Sequence, residues 1–250
     1  MRAVIALLLL VLLGGARDPI LVPEVSQHEI RLRQGFTGTQ LLLFGAILDP
    51  DGTRAARDYD IVVVLMGPRQ SIVVREKRKI AGIWLNADST EFRSAPSYYA
   101  IASTRPIDKI VDEKTAAIFE LGLPWLQLSP IGAIDTEEQS RFSEGLVDLN
   151  SRQGLYREGK GKVTVSEQVL YQARIDLPSS VPTGTYTAET FAVSHGVVVA
   201  TATSKVEIRK VGIERAIADF AEDYAIVYGL LMVLVSVAMG WIAGRLFSLA

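Results

Sequence analysis

Residues 225–244, AIVYGLLMVLVSVAMGWIAG, run for 20 positions without a charged side chain. A helix of that length spans about 30 Å at about 1.5 Å per residue, the thickness of a bilayer's hydrocarbon core. No water reaches backbone amides at that depth, so the run must satisfy its hydrogen bonds internally, as a transmembrane helix does. Asp219, Glu222 and Asp223 precede it and Arg245 follows, opening a tail over 245–250. Tyr224, Tyr228 and Trp241 fall where amphipathic rings favour the two membrane interfaces. Residues 211–224 read as a juxtamembrane helix with Ile213, Ile217 and Phe220 on one face. Its polar face is acidic, which argues against a lipid-surface role for this segment. Within the span Ser236, Gly240 and Gly244 recur every fourth residue and share a face, where another helix can approach closely.

The other end of the chain sets the expected orientation. Residues 1–16, MRAVIALLLLVLLGGA, combine a positive start at Arg2 with an apolar run from Ala3 to Leu13 and small residues at Gly14 and Ala16. The apolar run is too short to span a bilayer as a helix, and its flanks are those of a signal peptide cleaved after Ala16. Cleavage there sends the following domain out of the cytoplasm. Arg245 agrees with a cytoplasmic tail. The expectation is a single-pass protein of a bacterial inner membrane with its large domain in the periplasm.

Hydrophobic residues make up 49% of the chain and its mean hydropathy is +0.25, an excess that the two ends explain. The net charge is −2, and the two end segments contribute only Arg2 and Arg245, so the middle is acidic. Such a middle lacks the basic stripe that phosphate backbones require, and nucleic acid is excluded as an expected partner. The absence of cysteine removes disulfides, thiolate nucleophiles and Cys-type zinc sites.

Between the ends the chain alternates short β-branched runs with turns. Residues 17–104 form an N-terminal β unit. HEIRLR (28–33) alternates, TQLLLFGAIL (39–48) reads as a continuous buried run, and DPDGT (49–53) as a turn. IVVVLMG (61–67), SIVVREK (71–77), AGIWLNA (81–87) and YYAIAST (98–104) complete it. Residues 105–154 read as a helical insert. Its first helix is expected with Thr104 as N-cap and Pro106 in the first turn, stopping at Gly122 and Pro124. A second is expected from a Thr136–Gln139 capping box, with Phe142, Leu146 and Leu149 on one side, to Gly154. A C-terminal β unit over 155–210 follows, with a hairpin turn at Ser194-His195-Gly196.

The fold class predicted is mainly β: an immunoglobulin-like sandwich of one or two units with a helical insert, plus the C-terminal transmembrane helix. The corner Leu177-Pro178 to Tyr186 resembles the turn where a tyrosine opens strand F of such domains. It predicts a buried Tyr186 with its hydroxyl on backbone between Asp176 and Ser180. Pro96-Ser97-Tyr98-Tyr99 is a weaker copy, so either two related β units or one interrupted sandwich fits.

No catalytic, cofactor or metal constellation emerges. His28 and His195 lack neighbours in ligand spacing, and no nucleophile elbow, phosphate loop or dinucleotide fingerprint is present. Glu137 and Glu138 suit the positive end of a helix rather than acid–base work. Arg75-Glu76-Lys77-Arg78-Lys79 reads as a solvated basic turn. Trp84, Trp125, Tyr98 and Tyr99 are the aromatic candidates for recognition, each weighed more heavily as core.

Several stretches together resemble a family of alphaproteobacterial transmembrane proteins without an assigned function: VSQHEI (25–30), GFTGTQLLLFGAI (35–47), AGIWLN (81–86), YYAIASTRP (98–106), ARIDLPSSVPTGTY (173–186) and IRKVG (208–212). The resemblance implies an inner-membrane location and a transporter as companion, and it supplies no site residues. Three functions remain in view, in this order. The first is a non-enzymatic accessory protein that meets inner-membrane lipid and another membrane protein through Ser236, Gly240 and Gly244. The second is a periplasmic hydrolase. The third is a small-anion module built on Arg69, Arg75, Arg93 or Arg105.

Overall fold

A computed structural model of the chain describes residues 19–33, 35–48, 59–132, 135–160, 163–167, 169–212, 217 and 220–247. The expected signal peptide over 1–16, its cleavage site and the 49–53 turn lie outside these residues. The chain divides into two compact units: residues up to Ile30 with Thr37–Ile208, and Arg31–Phe36 with Arg209–Ala250.

The first sheet has the order β1-β3-β10-β9, all antiparallel, from β1 (Ile20–Val25), β3 (Gly38–Leu48), β9 (Val163–Ser166) and β10 (Leu170–Pro178). Leu41, Leu43 and Ile47 of β3 are buried, whereas Gln40, Phe44 and Leu48 are exposed. Tyr171, Ala173, Ile175 and Leu177 of β10 continue the buried face. That period of two marks a sheet with one wet face, so the run at 39–48 is buried on one side, not on both.

The second sheet has the order β2-β12-β11-β4-β7-β8, from β2 (Glu29–Leu32), β4 (Asp60–Met66), β7 (Tyr99–Ser103), β8 (Tyr156–Lys160), β11 (Gly184–Ser194) and β12 (Val197–Lys210). Here Ile61 to Leu65 and Tyr99 to Ser103 are buried without alternation, which requires a cover on each face. One cover is the first sheet. The Tyr98 hydroxyl donates to the Asp176 carbonyl of β10 at 3.1 Å, and its ring lies 5.8 Å from that of Tyr186. The other cover is the stretch around residues 107–125, where the Phe119 ring meets Phe191 edge-on at 5.5 Å. Strands from before and after the helical stretch occupy both sheets, so 17–104 and 155–210 build one shared core rather than two separate units.

The helical stretch differs from its expected form. Pro106 is extended at the start of a single 3-10 turn, Ile107–Lys109, and Thr104 donates its hydroxyl to Asp60 at 2.9 Å instead of capping a helix. α1 (Glu113–Ile118) begins only at Asp112, whose carboxylate accepts the Thr115 N–H at 2.9 Å. A 3-10 turn, Leu123–Trp125, follows Gly122. α2 (Thr136–Arg152) is capped by Asp135, which accepts the Glu138 N–H at 2.7 Å, so the cap sits one residue before the Thr136–Gln139 box. Aspartate is the stronger N-cap. Phe142 and Leu146 are buried, but the third inward residue is Asn150 and Leu149 is exposed.

SIVVREK and AGIWLNA are parts of one long hairpin, β5 (Arg69–Ile80) and β6 (Ile83–Pro96). Its two-residue turn, Ala81-Gly82, has φ of +50° and +89°, the left-handed pair that matches strand twist. The β11–β12 turn at His195-Gly196 has the same signs, as its sequence suggests. Tyr186 is buried, and its hydroxyl donates to the Pro182 carbonyl at 2.7 Å rather than to the 176–180 backbone. The Asp176 carbonyl in that window accepts from Tyr98 instead.

In the second unit α3 (Ala225–Phe247) contains a span, Ala225–Arg245, with mean hydropathy 2.3. Helical bonds from Tyr224 N–H to the Phe220 carbonyl (3.0 Å) and from Tyr228 N–H to the Tyr224 carbonyl (2.9 Å) run into it. Of the expected 211–224 helix, residues 213–216, 218 and 219 lie outside the described residues.

Candidate functional site

Two regions could carry function: the face of α3 and the outer face of the six-stranded sheet. On α3 an ideal Cβ placed on Gly240 or Gly244 meets nothing within 4 Å, so the two glycines leave an open stripe. Ser236 joins them, but its hydroxyl donates to the Met232 carbonyl at 2.8 Å and is satisfied within its own helix. Contact along this stripe is therefore close packing rather than an interhelical hydrogen bond. Gly229, equally open, extends the stripe by two turns, and its seven-residue spacing from Ser236 was the signal for it.

On the sheet, β7 and β8 and the insert enclose an open cleft of about 500 Å³ lined by Ile101, Ser103, Val111, Trp125 and Glu158. Two of its four carboxylates hold the fold together. Glu158 accepts the Leu123 N–H at 2.7 Å, and hydrogen bonding to Thr115 holds Asp112 below the usual carboxylate range. The loop above is pinned by Tyr99, whose buried hydroxyl donates to the Glu120 carbonyl (2.7 Å) and accepts the Gly122 N–H (2.8 Å). Burial pushes the Tyr99 phenol well above its ordinary value, with the Gly122 hydrogen bond opposing, and burial pushes Tyr156 to about 12. These phenols are structural donors, not bases.

The four arginines do not converge. Arg69 closes on Glu120 at 2.8 Å and donates to the Ser94 carbonyl at 3.2 Å. Arg105 binds Asp60 through two nitrogens and, with Thr104, holds that carboxyl below its ordinary value. Arg75 and Arg93 are exposed on the hairpin. Beside the Arg69–Glu120 pair, burial and then the Glu120 charge raise the Glu189 carboxyl above its ordinary value, with Arg69 opposing. Glu189 does not line the cleft. His28 lies 3.2 Å from Glu24, and His195 Nδ1 lies 3.0 Å from the Ser194 hydroxyl. Among the described residues no three His, Asp or Glu side chains are grouped to hold a metal. Tyr98 and Tyr99 are core, whereas Trp84, weighed as core by its sequence, is 65% exposed.

A mainly β domain followed by one helix long and apolar enough to cross a bilayer is the plan of a single-pass membrane protein. The model of a family described as "Putative transmembrane protein (Alph_Pro_TM)" matches residues 20–248, and the chain belongs to that family. Its function is unknown. A comparison with curated proteins finds no match.

Proposed function

We propose that the protein is a non-enzymatic accessory subunit of the bacterial inner membrane, holding an immunoglobulin-like sandwich in the periplasm for a membrane partner, a transporter in the first instance. The carrying observation is α3: none of its span is buried, and Ser236, Gly240 and Gly244 line it with an unfilled stripe. An anchor alone needs no such stripe, because lipid chains pack against leucine as readily as against glycine. The sandwich assignment is supported by the strand orders. β1-β3-β10-β9 follows the pattern of an ABED sheet, and β12-β11-β4 that of a GFC sheet, with the Tyr186–Pro182 bond at the entry to β11. The periplasmic side is supported by the signal-like 1–16 segment and by Arg245.

Gly240→Ile fills the stripe while keeping the helix apolar, so membrane insertion persists and association falls. Crosslinking in native membranes followed by mass spectrometry reads the yield of complex, with Val235→Ile as the control. A large drop in Gly240→Ile alone is the expected result. Equal yields in both variants would leave α3 as a simple anchor.

A further inference from the structure

We propose that the tip of the β5–β6 hairpin is a second membrane contact, an interfacial finger for an anionic lipid surface. The base of the hairpin is supported: Glu76 meets Arg141 of α2 at 3.4 Å, Thr90 and Phe92 are buried, and Arg93 N–H donates to the Ser129 carbonyl. Beyond Glu76 support ends. Every residue from Lys77 to Ala87 is exposed, on both faces of the ribbon.

This unsupported arm carries Ile80 (51% exposed), Ile83 (65%), Trp84 (65%) and Leu85 (49%). Two strands without a core are marginal in water, and four large apolar side chains there add nothing to the fold. A contiguous exposed apolar group of this kind marks a surface that is covered in use. Two features of the tip select a bilayer as the cover. A protein groove covers one face of a ribbon, whereas here the apolar groups lie on both: Ile80 faces Ile83 across the turn, and Trp84 stands opposite Lys79. The charge is also complementary. Residues 75–88 carry four basic and two acidic side chains in a chain whose net charge is −2. Arg78 is paired with Asp88, while Lys77 and Lys79 flank the apolar tip without a carboxylate partner among the described residues. An apolar tip with an indole and a cationic collar suits the headgroup boundary, where each cation near an anionic surface adds attraction.

The absence of cysteine permits a clean reporter. Full-length protein carrying Asn86→Cys, labelled with an environment-sensitive fluorophore, is reconstituted in phosphatidylcholine vesicles with or without phosphatidylglycerol. The expected result is blue-shifted emission and quenching by doxyl lipids in the anionic vesicles. Lys77→Gln with Lys79→Gln should lower the embedding constant on the order of 30-fold. Ile83→Ser with Trp84→Ser should abolish embedding, with the melting temperature unchanged because the tip packs on nothing. Water-like emission in anionic vesicles would overturn the proposal. So would shielding seen only in native membranes, which would identify a protein partner, or shielding that follows protein density rather than lipid charge, which would identify a second copy.

Discussion

Gly45→Ala is expected to lower the stability of the β domain by about 3 kcal/mol or more, the upper range for overpacking a core. Gly45 sits in β3 with β1 on one side and β10 on the other, opposite Pro23 and Tyr171. A Cβ there would lie 2.3 Å from the Val22 carbonyl oxygen and 2.6 Å from the Tyr171 hydroxyl oxygen. The first is backbone in a paired strand and the second belongs to a buried ring, so neither yields cheaply. Gly145 is the contrasting position. It lies exposed in α2, where an added Cβ would meet nothing within 4 Å, and Gly145→Ala should be neutral or stabilising by up to about 1 kcal/mol. Thermal unfolding of the purified full chain followed by near-ultraviolet circular dichroism separates the two. A Gly45→Ala melting temperature equal to wild type would disprove the β1-β3-β10 register.

Tyr99→Phe is expected to cost about 2 kcal/mol, although it removes a single oxygen. That oxygen is both donor to Glu120 and acceptor from Gly122, so its loss removes two buried bonds at once and leaves those groups only the 3.1 Å bond they make to each other. It also holds a loop in which Glu120 and Gly122 take φ of +52° and +124°. Tyr186→Phe removes one bond, to Pro182, and should cost only about 1 kcal/mol. Amide hydrogen exchange adds a local readout. Residues 119–125 should lose protection in Tyr99→Phe and keep it in Tyr186→Phe. Equal costs for the two would mean that the phenol does not pin the loop.

The parts of this fold legible in the sequence are those set by nearby residues. The apolar span, the β-rich middle, the turn at His195-Gly196 and the burial of Tyr186 follow from local composition and turn chemistry. What stayed hidden depends on partners far along the chain. β3 pairs with β10 across more than a hundred residues, and no local pattern states that pairing. The helix expected from Thr104 failed because Asp112 supplies a better start and Asp60 takes the Thr104 hydroxyl. The stripe on α3 was legible because helical spacing alone defines it. The finger was not, since Trp84 and Ile83 look like core until the arm carrying them is seen to pack on nothing. The Arg69–Glu120–Glu189 group was equally hidden, its members coming from β5, the insert and β11.

The account depends most on which side of the membrane holds the β domain, and labelling of single-cysteine variants tests that directly. Thr203→Cys places the thiol on exposed β12, and Ser248→Cys places it beyond the span. In spheroplasts a membrane-impermeant maleimide should label the Thr203→Cys protein at once. It should reach the Ser248→Cys protein only after the membrane is permeabilised. Immediate labelling of the Ser248→Cys protein with protection of the Thr203→Cys protein would invert the topology and contradict the proposed periplasmic role.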